Sequence, residues 1–268
     1  MQHTKIAVLG GGNLGVAIAE GLHSNGKYRA EDIFITRRNT KSIQHLSTKG
    51  LQVTSDNLRA VKESRWILLC VQPGQLNELL EEIKPYLNPE QHVLISVITS
   101  ITIKHIADVV GEEFPIIRSM PNTAIAIHES MTCLAFNKRS QGVKEEVQEM
   151  FDCLGSTLVI EEELMAAATV LCASGIAFYM RFIRAATQGG IQLGFDSEDA
   201  LKIAVQVSKG VSGLLAHNHS HPEQEIDKVT TPRGCTIAGL NEMEHQGFSP
   251  AFIKGLVTSY ERILNMRK

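Results

Sequence analysis

Six residues near the start restrict the fold more than any others. Gly10-Gly11-Gly12-Asn13-Leu14-Gly15 fits G-x-G-x-x-G and lies directly between the apolar run Lys5–Leu9 and the amphipathic segment Leu14–Ser24. In a strand–loop–helix of this form the first glycine permits a tight turn, the second lets a pyrophosphate approach the backbone, and the third lets helix and strand pack closely. The helix N-terminus then offers unpaired N–H groups to the anion. A simple strand-to-helix turn would use glycine too, but the flanking context favours a dinucleotide. Gly10, Gly12, Asn13, Leu14 and Gly15 are therefore candidate cofactor contacts. About 20 residues after such a loop an NAD site usually carries Asp or Glu for the ribose hydroxyls. This chain has Thr36-Arg37-Arg38 there, a hydroxyl and two guanidinium groups that suit a 2′-phosphate, so NADP(H) is expected over NAD(H).

The first half alternates short β-branched runs with amphipathic segments, the rhythm of a parallel sheet covered by helices. Strands are expected at Lys5–Leu9, Asp32–Thr36, Trp66–Val71, His92–Val97 and Ile116–Arg118, with weaker ones at Thr132–Phe136 and Thr157–Val159. Helices are expected at Leu14–Ser24, Thr40–Thr48, Leu58–Glu63, Gly74–Lys84, Ile103–Val110 and Gly142–Cys153. After about residue 160 the strand-like runs stop. The expected fold is α/β: a Rossmann-type doubly wound sheet over 1–160, then an all-helical dimerisation and substrate-binding domain over 161–268. Glu163–Leu193 is apolar almost all round and must be enclosed by its own domain or by another chain. Asp196 or Ser197 reads as the N-cap of a helix to about Asn218, and Ser249-Pro250 as the start of a final helix to Met266. Val71-Gln72-Pro73 and Ser96 fall at carboxyl ends of strands, where open α/β sheets bind ligands.

Composition excludes several classes. The 268 residues are 43% hydrophobic and 21% charged, and 26 basic against 29 acidic residues give a formal charge of −3. No basic block or aromatic stripe is available to track nucleic acid. The five cysteines form no C-x-x-C pair, so neither a zinc ribbon nor a disulfide framework is supported and a reducing compartment is the natural reading. The N-terminal texture is wrong for a signal peptide, and the expected location is cytoplasmic. Leu164–Met180, the longest uncharged stretch, falls short of the about 20 apolar residues a membrane span needs. His217, His219 and His221 alternate without a matching acid or thiol, so no metal site is expected.

Three further segments join the glycine loop: Val71-Gln72-Pro73, Arg118-Ser119-Met120-Pro121-Asn122-Thr123, and Val229 to Leu240, which contains Thr231-Pro232-Arg233-Gly234-Cys235-Thr236. Together and in this order they resemble the pyrroline-5-carboxylate reductase family over essentially the whole chain. The resemblance implies hydride transfer from NADPH to C5 of L-1-pyrroline-5-carboxylate, giving L-proline in the last step of proline biosynthesis. It also implies a homodimer, often in higher rings. Asn57 resembles a family cofactor contact, and Met120, Pro121 and Asn122 would wall the nicotinamide. The chain departs from the family's usual residues at Ala124, at Ile176, and at Arg233, which replaces a glycine.

The late segment has a chemical reading of its own. Thr231-Pro232 suits a helix start, Thr as N-cap and Pro at the first position. The N–H groups of Gly234, Cys235 and Thr236 would then face a carboxylate at the positive end of the helix dipole. With Met120 and Asn122 they make the expected substrate site, and Thr236 is the candidate catalytic hydroxyl. Two alternatives stay open. A related two-domain NADP-dependent dehydrogenase or imine reductase would normally use a Lys in the helical domain, and the first Lys after Leu164 is Lys202. The departures also leave room for a catalytically weak NADPH-binding sensor.

Overall fold

A computed structural model describes residues 4–265. The chain runs β1 (Ile6–Leu9), α1 (Asn13–Ser24), β2 (Ile33–Thr36), β3 (Gln52–Thr54), α2 (Asn57–Glu63), β4 (Trp66–Leu69), α3 (Leu76–Ile83), β5 (Val93–Ser96), α4 (Ile103–Val110), β6 (Ile116–Met120), β7 (Ser130–Phe136), α5 (Lys144–Asp152) and β8 (Gly155–Val159). The strands form one sheet in the order β3-β2-β1-β4-β5-β6-β7-β8. Every neighbouring pair is parallel except β6 with β7. Because β1 lies between β2 and β4, strand addition reverses there, and a ligand crevice opens beyond the carboxyl ends at such a switch point.

Successive residues of a strand face opposite sides. Ile6 and Val8 pack with Ile18 and Leu22 of α1 and Val147 and Phe151 of α5, whereas Ala7 and Leu9 pack with Val61 of α2, Leu80 and Ile83 of α3 and Ile106 of α4. Both faces are covered, which is why these strands read as unbroken apolar runs.

Several expectations need correction. The edge strand β3 was not expected; its three residues are all half-buried and lack an apolar run. Thr40–Thr48 is not an α-helix but part of a ten-residue 3₁₀ segment, Thr40–Lys49. There the hydroxyls of Ser47 and Thr48 donate to the carbonyls of Gln44 and His45, three residues back, local bonds that compete with α-helical ones. Gly50, at φ 90°, ends the segment in the left-handed region. The segments expected as helices at Gly74–Lys84 and Gly142–Cys153 each begin with 3₁₀ turns, at Pro73–Gln75 and Lys138–Val143. β6 extends to Met120, so Met120 is a strand residue.

Packing divides the chain into two compact units: the described residues through Ser174 with those from Tyr260 on, and Gly175–Ser259. This division falls later than the change of texture at 160. At the end of the first unit, α6 (Met165–Ala168) runs into π-helical turns over Thr169–Ser174. Five more helices follow: α7 (Gly175–Gln192), α8 (Ser197–Asn218), α9 (Pro222–Lys228), α10 (Cys235–His245) and α11 (Phe248–Asn265). The Asp196 carboxylate caps α8, accepting from the N–H groups of Glu198 and Asp199, both at 2.9 Å. His221 caps α9 through the N–H of Glu223, so this histidine of the trio has a structural partner. Ser249 does not cap the last helix: α11 already begins at Phe248, and the Ser249 hydroxyl donates to Glu244 Oε1 at 2.6 Å. The expected end at Met266 lies outside the described residues.

In the second unit Phe178, Tyr179, Phe182, Phe248 and Phe252 form an aromatic cluster with ring centroids 6.1–6.4 Å apart. Many apolar side chains of this unit are nevertheless exposed, among them Met180, Leu193 (83% exposed), Val207 and Ile253. The helical segment Glu162–Gln192 is long and apolar enough to cross a membrane, and only 28% of its most apolar window is buried. The chain on its own therefore does not enclose this helix.

Candidate functional site

At the switch point the loop after β1 is shaped by contacts that a side chain would destroy. Gly10 adopts φ +116°, and a Cβ there would lie 2.5 Å from the Cys70 carbonyl oxygen. A Cβ on Gly15 would collide with the carbonyl oxygen of Gly10. Gly12 differs, because a Cβ there would meet nothing within 4 Å. Gly12 is the N-cap of α1 and no side chain of the described residues caps that helix, so the helix N-terminus has an unblocked approach at Gly12. Two glycines thus serve the fold, and one keeps an anion-binding terminus clear. These residues fit a dinucleotide pyrophosphate.

Beside the loop is a cleft of about 580 Å³ lined by Gly10, Gly12, Thr36, Arg37, Arg38, Asn57, Val71 and Gln72, with Glu78 and Glu82 among the other walls. The Arg37 guanidinium donates to the Gly11 carbonyl at 2.8 Å, which holds a cation against the glycine loop. Arg38 pairs with Glu78 at 2.9 Å, and Asn57 donates to Glu82 at 3.0 Å. Burial pushes the Cys70 thiol up to about 12, so the cleft wall next to Gly10 carries a neutral sulfur.

Not every expected contact lines this cleft. Ser96 is 1% exposed, at the carboxyl end of β5, and its hydroxyl accepts from the N–H of Ile98. Gly15 is buried behind the loop. Asn13 lines a second hollow that shares Gly11, Gly12 and Arg37 with the first, Leu14 packs against the core, and Pro73 opens an exposed 3₁₀ turn beside Gln72. In the same unit Met120 is 4% exposed and Asn122 8%. Asn122 caps a short 3₁₀ helix, its side-chain oxygen accepting from the N–H of Ala124, and its own N–H donates to Ser130 Oγ at 3.1 Å.

In the helical unit the late motif folds differently from expectation. Thr231 is not the N-cap. Thr231-Pro232-Arg233-Gly234 makes a turn closed by the Gly234 N–H donating to the Thr231 carbonyl at 2.9 Å, so that N–H is spent internally. Gly234 itself caps α10, without any side-chain cap bond, and among the described residues the N–H groups of Cys235 and Thr236 have no partner. A Cβ on Gly234 would come within 2.5 Å of Thr231 Oγ1. Arg233 sits at φ +60°, the left-handed region that favours glycine. The departure from glycine at this position is thus a departure in backbone preference as well as in charge.

Sequence reasoning missed the partner of one buried cation. Arg118, 1% exposed on β6, donates to Glu162 Oε1 at 3.1 Å, and the same oxygen accepts from the Ile103 N–H at 2.7 Å. Nothing in the spacing of 44 residues signals this pairing. Among the described residues no group of three or more His, Cys, Asp or Glu side chains is placed to hold a metal ion.

Comparison with known proteins bears on both units. The model of the pyrroline-5-carboxylate reductase dimerisation domain matches residues 162–266, and that of the NADP oxidoreductase, coenzyme F420-dependent domain matches 5–100. Pyrroline-5-carboxylate reductase 2 of Dictyostelium discoideum is 46% identical, the match covering 97% of this chain and 92% of that protein. The chain belongs to the pyrroline-5-carboxylate reductase family. Pyrroline-5-carboxylate reductase 1 of the same organism is also 46% identical over 97% of this chain, which spans about half (49%) of that longer protein. The reductase of Methanosarcina acetivorans is 30% identical over the full length of both chains. Among solved structures, the reductase of Plasmodium falciparum with NADP bound superposes with a TM-score of 0.90 at 25% identity, covering all of both chains. That of Coxiella burnetii gives 0.92 at 25% identity with the same coverage. The Rossmann-type sheet followed by a helical dimerisation domain is thus the family's architecture.

Proposed function

We propose that this chain reduces L-1-pyrroline-5-carboxylate to L-proline with NADPH. The observation that carries the reading is the open face at Gly12 beside Thr36-Arg37-Arg38, in a chain whose relatives are named for this reaction. NADPH, when bound, supplies a hydride from nicotinamide C4. The chain's residues supply position. Gly12 and the first turn of α1 receive the pyrophosphate, while Thr36, Arg37 and Arg38 favour a 2′-phosphate over a bare ribose. Asn57, Val71 and Gln72 line the same cleft.

On the helical unit the free N–H groups of Cys235 and Thr236 hold the substrate carboxylate at the positive end of α10. Gly234 keeps the approach clear. The Thr236 hydroxyl makes no hydrogen bond within the chain among the described residues and is free to bond the carboxylate or ring nitrogen. Met120 and Asn122 form part of the wall near the nicotinamide. No nucleophile is required, since the imine carbon is already electrophilic once its nitrogen is protonated.

The exposed apolar side chains of the helical unit fit a homodimer, in keeping with the matched dimerisation domain, and higher rings are compatible with it. A soluble, cytoplasmic enzyme acting on a small molecule, without membrane or nucleic-acid partners, follows from the same reading. Loss of NADPH absorbance with the five-membered imine, run beside its six-membered homologue, NADH and a Thr236→Ala variant, tests the reaction. Oxidation with the five-membered imine that falls in the variant supports it; tight NADPH binding without oxidation overturns it. Light scattering that shows a monomer at micromolar concentration overturns the dimer.

A further inference from the structure

Cys133 on β7 and Cys172 in the π-helical turns are 39 positions apart in sequence, yet their sulfur atoms lie 3.5 Å apart. We propose that Cys133 and Cys172 form an oxidisable dithiol that closes to an intramolecular disulfide when a hydroperoxide reaches Cys172. The pair lies within the first unit, and the proposal is independent of the reaction assigned above.

Exposure and chemistry assign a different task to each sulfur. Cys133 is 3% exposed, whereas Cys172 is partly open to solvent. Cys172 therefore meets the oxidant, and Cys133 waits behind it. The hydrogen bond between the two sulfurs lowers Cys172 below the ordinary thiol range and, with burial, pushes Cys133 above it. A thiolate is the reactive form. Burial raises the pKa of Cys70, to about 12, and of Cys153, so neither competes.

In the first step the Cys172 thiolate attacks one peroxide oxygen and the O–O bond breaks, giving a sulfenic acid and releasing hydroxide or alkoxide, which takes a proton from water. In the second, the Cys133 sulfur attacks the sulfenic sulfur and the S–O bond breaks. The leaving hydroxide carries away the Cys133 proton as water. Two thiols are oxidised and one hydroperoxide is reduced. A disulfide has sulfurs about 2.05 Å apart, so the pair must close by about 1.5 Å. Its helical side lies in π turns, which are wider and less regular than an α-helix. Cys133 is also the register partner of Met120 across β6 and β7, and both pack in one cluster with Met165 and Ala168. The bond would therefore tie that strand pair to the helix.

The test treats the full chain carrying Cys235→Ser, which removes the exposed thiol, with hydrogen peroxide, followed by alkylation, digestion and mass spectrometry. The expected product is one peptide pair joining Cys133 to Cys172, split by dithiothreitol. In Cys133→Ala, Cys172 loses the bond that lowers it and should react more slowly, and the sulfenic acid that does form should persist and be trapped by dimedone. Oxidation of Cys172 in the chain with Cys133 intact, without the linked pair, would overturn the proposal. So would a Cys172 that reacts no faster than Cys70 and Cys153.

Discussion

Gly12→Ala and Gly15→Ala make a paired test of how the glycine loop divides its labour. At Gly12 the backbone is extended, φ −81° and ψ −174°, a conformation alanine adopts freely. The added methyl meets nothing within 4 Å. Alanine is a poorer N-cap than glycine but also reduces unfolded-state entropy, so stability should change by less than about 1 kcal/mol. The methyl stands where a pyrophosphate must approach. Losing two hydrogen bonds to a charged group, each worth about 1.5–3 kcal/mol, weakens NADPH by about a hundredfold or more. At Gly15 the methyl collides with the backbone carbonyl of Gly10, and Val8 Cγ1 stands 3.3 Å away. Overpacking of this kind costs about 1–3 kcal/mol, and a unit of this size loses about 2–4 °C of Tm per kcal/mol. Calorimetric titration with NADPH beside thermal melts reads both quantities. An unchanged NADPH affinity in Gly12→Ala, or a loss of Tm as large as that of Gly15→Ala, would refute the reasoning.

Other expectations follow from single contacts. Arg37→Gln removes the cation held against Gly11 and should weaken NADPH by about tenfold or more while leaving NADH nearly unchanged, read as the ratio of the two Kd values. Arg233→Gly relieves a non-glycine residue at φ +60° and should leave stability equal or raise it by about 1 kcal/mol, measured by urea denaturation. Arg118→Ala removes a buried side chain and its pairing with the partly exposed Glu162 and should destabilise by about 1–3 kcal/mol, visible in thermal melts. Burial, then the neighbouring Cys153, Glu149 and Glu146, pushes the Tyr28 phenol up to about 12. Because the folded value lies above the unfolded one near 10, its contribution is complete below pH about 10 and is lost as pH rises to about 12. Tyr28→Phe should flatten that part of the stability–pH curve.

The parts of the fold that the sequence makes legible are those where one residue type has one physical reason. Gly10, Gly12 and Gly15 combine turn, approach and packing within six residues, and the fully buried strands around Ile6–Leu9 and Trp66–Leu69 read as apolar runs because helices cover both faces. β3 is illegible because an edge strand of three half-buried residues, Gln52–Thr54, has no pattern to show. The 3₁₀ segment at Thr40–Lys49 has a helical pattern of apolar residues, Ile43 and Leu46, and only its hydroxyl-to-carbonyl bonds decide the tighter winding. At the substrate motif, Thr231-Pro232 reads as a helix start; the left-handed Arg233 inserts a turn first and moves the cap to Gly234. The meeting of Arg118 with Glu162, and of Cys133 with Cys172, depends on tertiary closure across 44 and 39 residues, which no local signal encodes.

The uncovered apolar side chains of the helical unit have a thermodynamic consequence. Leu193, Met180 and Val207 lie in water when the chain is alone, so in the proposed homodimer any of them that a second copy covers adds free energy that the lone chain's folding lacks. Folding and association are then one equilibrium, and its midpoint moves with protein concentration. Dilution acts on such a chain as a denaturant.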